Sequence, residues 1–172
     1  MPSKRLIITE KPRVAEHIAK ALGLVAVADS RGKWYQNSEW LCVAARGHLL
    51  RLATPDELNP QWKRWSFHNL PIVPEQFRLI VPDTHRPRLE LIFEKLRDPV
   101  VDAVVNACDP GREGELIFRE IYHASGESKP VKRMWLPTLA PEEIKSEAAD
   151  LRPGDSYDSL FASARTRAKV DW

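Results

Sequence analysis

The sequence predicts an α/β fold with a mostly parallel central sheet flanked by helices, on three observations. Strand-like apolar runs alternate with segments of helical spacing. The run Val100–Cys108 is short, apolar and rich in valine, as suits a strand buried on both faces of a parallel sheet. Twice, at Thr9–Pro12 and at Cys108–Gly111, such a strand breaks at proline and passes directly into a helix.

Taken in order, Arg5–Thr9 is the first strand, and Glu10-Lys11-Pro12 is the loop after it. Val14, Ile18, Ala21 and Leu22 keep helical spacing, Pro12 is preorganised for a first helical turn, and Gly23 supplies the stop. Trp34-Tyr35 and Glu39–Ala45 read as a hairpin around Gln36-Asn37-Ser38. Arg46-Gly47-His48 follows at a strand end, where a histidine is commonly a satisfied structural residue. Residues 51–82 have no sustained period and carry Pro55, Pro60, Trp62, Trp65, Pro71 and Pro74, which predicts an ordered loop pinned by aromatics. Within it, Gln76–Val81 reads as a strand. Arg88–Leu96 is helical by Leu89, Ile92, Phe93 and Leu96. The Val100–Cys108 strand leads through Asp109-Pro110-Gly111 into a helix beginning near Glu115. Val131–Leu136 is a further strand, and a capped helix starts at Thr138 with Pro141, Glu142 and Glu143 in its first turn. Ser159–Trp172 is a polar helix carrying Arg165, Arg167 and Lys169. It stops without a cap, so the chain is expected to be the N-terminal piece of something longer.

At 172 residues the length fits one domain with the beginning of another. With 43% hydrophobic residues the chain can build a core. No apolar run approaches the ~20 residues of a membrane span, and the N-terminus lacks the pattern of a signal peptide. The two cysteines, Cys42 and Cys108, lie in strand-like runs and read as buried free thiols of a reducing, cytoplasmic setting. A net charge of +2 neither demands nor excludes a polyanionic partner.

In a parallel sheet, the loops after the first strand and after Val100–Cys108 both open at the carboxyl edge, where ligands bind. Glu10, Asp109 and Glu113 can therefore converge there. Helix capping or a surface salt bridge would also account for any one of these acids. Three carboxylates without cysteine or histidine ligands make a hard, oxygen-rich site that favours Mg2+ over zinc. Such an ion binds phosphates, so the substrate class is a phosphodiester or nucleotide, with Lys11 and Arg112 supplying fixed positive charge.

Ile8-Thr9-Glu10-Lys11-Pro12, Gly47-His48-Leu49 and Ala107-Cys108-Asp109-Pro110-Gly111-Arg112-Glu113-Gly114-Glu115 together resemble the Toprim domain of type IA DNA topoisomerases, in particular the topoisomerase III-like branch. Arg133-Met134-Trp135-Leu136, Leu139-Ala140-Pro141-Glu142 and Ala164–Trp172 resemble the same family in the same order, so the resemblance covers nearly the whole chain. It implies a Toprim (Rossmann-like) domain over residues 1–156, with residues 157–172 opening the next, helical domain. It implies cleavage and rejoining of single-stranded DNA by transesterification, with Glu10, Lys11, Asp109 and Glu113 catalytic and Glu10, Asp109 and Glu113 holding Mg2+. His48, Arg112, Arg165 and Arg167 would contact DNA, although a solvated basic helix face explains Arg165 equally well. The family's Asp-x-Asp-x-Glu motif has Gly111 in place of its middle acid, which points to a single Mg2+. Its nucleophile is a tyrosine in a later domain. Tyr35, Tyr122 and Tyr157 are the only tyrosines here and none resembles it, so this chain is expected to be inactive alone and to work with the remaining domains of the same enzyme. A Toprim nuclease or primase-like core, and a non-catalytic nucleic-acid-binding module, are the alternatives.

Overall fold

A computed structural model describes residues 3–64 and 66–172; Trp65, one of the aromatics expected to pin the long loop, lies outside them. The elements are β1 (Lys4–Thr9), α1 (Pro12–Leu22), β2 (Val25–Asp29), β3 (Gly32–Gln36), β4 (Trp40–Ala44), β5 (Arg51–Leu52), α2 (Pro55–Leu58), β6 (Leu79–Ile80), α3 (Arg86–Arg97), β7 (Val101–Asn106), α4 (Arg112–Ser125), β8 (Val131–Arg133), α5 (Pro141–Ala149), β9 (Arg152–Pro153) and α6 (Asp158–Val170). Seven strands form one sheet in the order β2-β3-β4-β1-β7-β8-β9. The four middle strands, β4, β1, β7 and β8, run parallel, and antiparallel strands close both edges.

Alternate residues of the middle strands feed two cores. Leu6 and Ile8 of β1 and Val101 and Val104 of β7 pack against α3 and α4 through Leu89, Ile92, Leu96, Ile117, Phe118 and Ile121. Ile7 and Val105 point the other way, onto α1 and α5 through Val14, Ile18 and Ile144. Period-two alternation combined with burial on both faces is why these strands read as continuous apolar runs. From β1 the chain returns to β4 on one side and later to β7 on the other. The β1–β7 pair is thus the topological switch point, outside whose carboxyl ends a crevice opens.

Some expected elements are shorter in the structure. Gln76–Val81 narrows to Leu79–Ile80, which pairs with Arg51–Leu52 in a small separate sheet. Val131–Leu136 pairs only as far as Arg133, because the amide of Trp135 turns to the Glu147 carboxylate (2.8 Å) instead of continuing the ladder. The 34–45 hairpin is present, with Asn37 Oδ1 accepting from the Glu39 and Trp40 amides at its turn (2.9 and 2.8 Å). The edge strand β2, paired antiparallel with β3, adds to the strands expected from sequence. Residues 51–82 carry short helical turns between their prolines. The last helix, α6, packs on α4, where Arg119 donates to Asp158 Oδ1 and to the Gly154 carbonyl (both 2.8 Å). No helix among the described residues is long and apolar enough to cross a membrane.

Candidate active site

Three loops meet at the carboxyl edge of the switch point. β1 ends at Thr9, whose hydroxyl donates to the Lys11 carbonyl (3.1 Å) and fixes the exit of the chain past Glu10. After β4, the amides of Arg46 and Gly47 both donate to the Glu10 carbonyl (2.8 and 3.1 Å), and both residues take positive φ (69° and 93°). This left-handed pair turns the chain back and carries His48 over the crevice. After β7, Asp109-Pro110-Gly111 leads into α4, which starts at Arg112.

The side chains at this edge form a set of pairs. Lys11 Nζ donates to Asp109 Oδ2 and lies 4.0 Å from Glu10 Oε1. His48 Nε2 shares a hydrogen bond with Glu113 Oε1. Glu10 is drawn in, its carboxyl raised above the ordinary range first by burial and then by Asp109, against the opposing charges of Lys11 and His48. Lys11 is held above its ordinary value by its bond to Asp109.

A cleft of about 600 Å³ opens beside these pairs, lined by His48, Asp109, Arg112, Glu113, Arg167 and Trp172 among others. Glu10, Lys11, His48, Asp109, Arg112 and Glu113 are thus gathered at one edge, and Arg167 joins them across the cleft. Arg165 does not. It stands over the Phe161 ring (5.6 Å) and lines a neighbouring, more apolar groove.

Gly111 has φ 151° and ψ −179°, a conformation open essentially to glycine alone. Gly114 lies so close to the loop that a Cβ there would fall 2.2 Å from the Asp109 carbonyl oxygen. The glycines therefore let α4 begin directly against Asp109.

Glu115 looks like a fourth acid of the loop but belongs to the interior. It is 1% exposed and accepts from Asn106 Nδ2 (2.8 Å) and Arg119 Nε (2.9 Å), with Arg133 Nε at 3.5 Å. Two further residues bear on the site: Glu120 stands in no motif, and Arg133 stands in one without being marked there as a site residue. Glu120 follows Glu113 by seven residues on the same face of α4 and lines the cleft, a relationship the helical period alone could have shown. Arg133, in the short strand β8, reaches the Asp109 backbone (3.1 Å).

The donor chemistry fits Mg2+: carboxylate oxygens around a solvent-open loop, with no thiolate within reach, since Cys42 and Cys108 are both buried and free. Among the described residues no three acids or histidines are already gathered as a ligand set. Lys11 and His48 hold Asp109 and Glu113 in the arrangement seen.

Comparison with known proteins agrees with this architecture. The Toprim domain family model matches residues 5–139. DNA topoisomerase 3 of Bacillus cereus is 36% identical over 171 residues, covering 99% of this chain. DNA topoisomerase 3 of Staphylococcus aureus is 32% identical over 98% of the chain. The chain spans only 23% of the length of each of these relatives. Full-length topoisomerase I from Thermotoga maritima shares the fold, with a TM-score of 0.56 at 18% identity, over 88% of this chain and 21% of that one. The chain belongs to the Toprim domain family and is homologous, along nearly its whole length, to part of the DNA topoisomerase 3 proteins.

Proposed function

We propose that this chain supplies the metal-binding and acid–base half of a type IA topoisomerase site, which cuts and rejoins single-stranded DNA by transesterification in the cytoplasm. The observation that carries the reading is the meeting of Glu10, Lys11, Asp109 and Glu113 at the switch point of the sheet. Asp109 and Glu113, with Glu10 behind them, would hold Mg2+, which when bound offsets the negative charge of a DNA phosphate.

The other roles fall to side chains of this chain. Glu10, largely buried and with its carboxyl raised above the ordinary range by that burial, is the group placed to give a proton to the leaving 3′ oxygen on cleavage and to take one back on rejoining. Lys11 and Arg112 place fixed positive charge beside the scissile phosphate. His48 and Arg167, which both line the cleft, contact the backbone, and Arg165, in the neighbouring groove, extends that contact on α6.

None of Tyr35, Tyr122 and Tyr157 lines the cleft. The Tyr122 hydroxyl donates to the Lys129 carbonyl, and Tyr157 stacks on Trp135 at 5.2 Å. The attacking tyrosine is therefore supplied from outside these 172 residues, by the remaining domains of the enzyme.

Two measurements on the chain test this. Calorimetry should show Mg2+ binding that Asp109→Asn together with Glu113→Gln abolishes. Incubation with Mg2+ and an end-labelled single-stranded oligonucleotide should leave no covalent adduct. Unchanged Mg2+ binding in the double variant, or an adduct formed by the chain alone, would overturn the reading.

A further inference from the structure

Arg133 is 1% exposed, and burying a guanidinium costs several kcal/mol unless its donors are used. Here its two terminal nitrogens are spent on backbone oxygens at the carboxyl ends of β7 and β8, while the buried Nε makes no hydrogen bond and faces Glu115 at 3.5 Å. Nη1 donates to the carbonyls of Asn106 (2.8 Å), Cys108 (2.9 Å) and Met134 (3.0 Å), with the Asn106 side-chain oxygen at 3.3 Å. Nη2 donates to the Asp109 carbonyl (3.1 Å). The charge is balanced by Glu115, itself held by Asn106 and Arg119.

Apart from the Met134 amide, which donates to the Asn106 carbonyl (2.9 Å), these bonds fall where the sheet stops supplying any. β7 ends at Asn106, the Cys108 amide turns to the Asn106 side chain (3.0 Å), and Pro110 has no amide to give. On its other side Asp109 meets the Gly114 backbone, with room for no side chain between them. The Asp109 peptide is thus gripped between a planar fork and the first turn of α4. An apolar residue at 133 would fill the space at lower desolvation cost but would leave the Asn106, Cys108 and Asp109 carbonyls of this loop, and that of Met134, without that donor.

We propose that Arg133 is a positioning residue for Asp109: its buried fork fixes the 106–109 backbone so that the Asp109 carboxylate stands where cation and phosphate are received. This rests on the reading of Asp109 as a Mg2+-binding residue. The fork is what matters, because lysine keeps the charge but offers no planar set of donors.

The test is a double-mutant cycle on Mg2+ affinity, measured by calorimetry on the chain and accompanied by melting curves and amide exchange. Arg133→Lys should weaken Mg2+ binding about 10-fold with Asp109 intact and change nothing further in the Asp109→Asn background. Unchanged affinity with Asp109 intact, or an equal loss in both backgrounds, overturns the proposal, since a merely structural arginine would act on both alike. If Arg133→Lys does not fold, Glu115→Gln, which leaves the fork but removes its counter-charge, replaces it: Mg2+ affinity within a few-fold of the unaltered chain upholds the fork, and about a 10-fold loss shows that the charge acts instead and overturns the proposal. If Asp109→Asn binds Mg2+ like the unaltered chain, the metal reading itself falls, and amide exchange decides the positioning claim. Faster exchange in Arg133→Lys confined to residues 107–113 upholds it; exchange that is unchanged, or faster throughout the domain, overturns it.

Discussion

Lys11 donates to the Asp109 carboxylate across 98 positions of sequence and so occupies an oxygen that a metal ion would take. Both side chains are open to solvent, at 56% and 37% exposure, so the pair contributes under about 1 kcal/mol to folding. Its consequence is competition. Lys11→Ala should leave the melting temperature within a few degrees and tighten Mg2+ binding several-fold, because the ion no longer displaces an ammonium. In the complete enzyme the same variant should slow cleavage by on the order of 10²-fold, through loss of charge beside the phosphate. Calorimetry and single-turnover cleavage on one preparation separate the two effects. Weaker Mg2+ binding in Lys11→Ala would mean that the lysine organises the site instead of competing for it.

Glu120 bears on pH. Its carboxyl is pushed up to about 7, first by burial and further by Glu113, against the pull of His48. The groove it faces also holds His123, Arg165 and Lys169. Because the folded value lies above the unfolded one, the contribution to stability is fully present below about 4.5 and is lost as pH rises through about 7. Glu120→Gln stays neutral throughout. It should match the unaltered chain near pH 4.5 and exceed it at pH 8 by on the order of 1–2 kcal/mol, after allowance for partial solvent screening. Melting curves across this range check the claim; parallel curves for the two proteins would refute it.

The parts of this molecule that were legible in the sequence are those fixed by local periodicity and by the shared direction of parallel strands. Burial on both faces made the valine run of β7 readable, and a common carboxyl edge was enough to bring Glu10 to Asp109. β2 was invisible because Val25–Asp29 is a mostly exposed edge with no apolar alternation to announce it. The site's support was illegible for a different reason. Arg133 ends the short strand Val131-Lys132-Arg133, and its partners lie 24 to 27 residues upstream, at the end of β7 and in the loop after it. Glu115 shares a motif with Asp109 and Glu113, but the helix phase turns it into the core while Glu113 faces solvent.

Gly114 tests how tightly the acid loop is built. An alanine Cβ would stand 2.2 Å from the Asp109 oxygen and 2.8 Å from its nitrogen, both backbone atoms, so the loop and α4 must separate. Gly114→Ala should cost about 1–3 kcal/mol and weaken Mg2+ binding in the same variant, since the displaced residue is Asp109 itself. Stability lost with Mg2+ affinity retained would show that Asp109 tolerates movement and that its exact seating does not matter to the ion.

Gly111 stands where the Asp-x-Asp-x-Glu pattern has its middle acid, and restoring an aspartate there looks like the obvious way to strengthen the metal site. The backbone argues against it. With φ 151° and ψ −179°, residue 111 occupies a region that costs an L-residue on the order of 1–3 kcal/mol. Nothing lies within 4 Å of a Cβ built there, so the penalty is conformational and cannot be relieved by moving a neighbour. To seat an aspartate the chain must rotate at the very residue that opens α4, and Glu113 is carried by the first turn of that helix. Any ligand gained at 111 therefore comes with displacement of the one at 113. Gly111→Asp should lower stability by that amount and leave Mg2+ affinity within a few-fold of the unaltered chain. A tenfold tighter Mg2+ isotherm with an unchanged melting temperature would show that the loop relaxes freely and that the glycine is dispensable for its geometry.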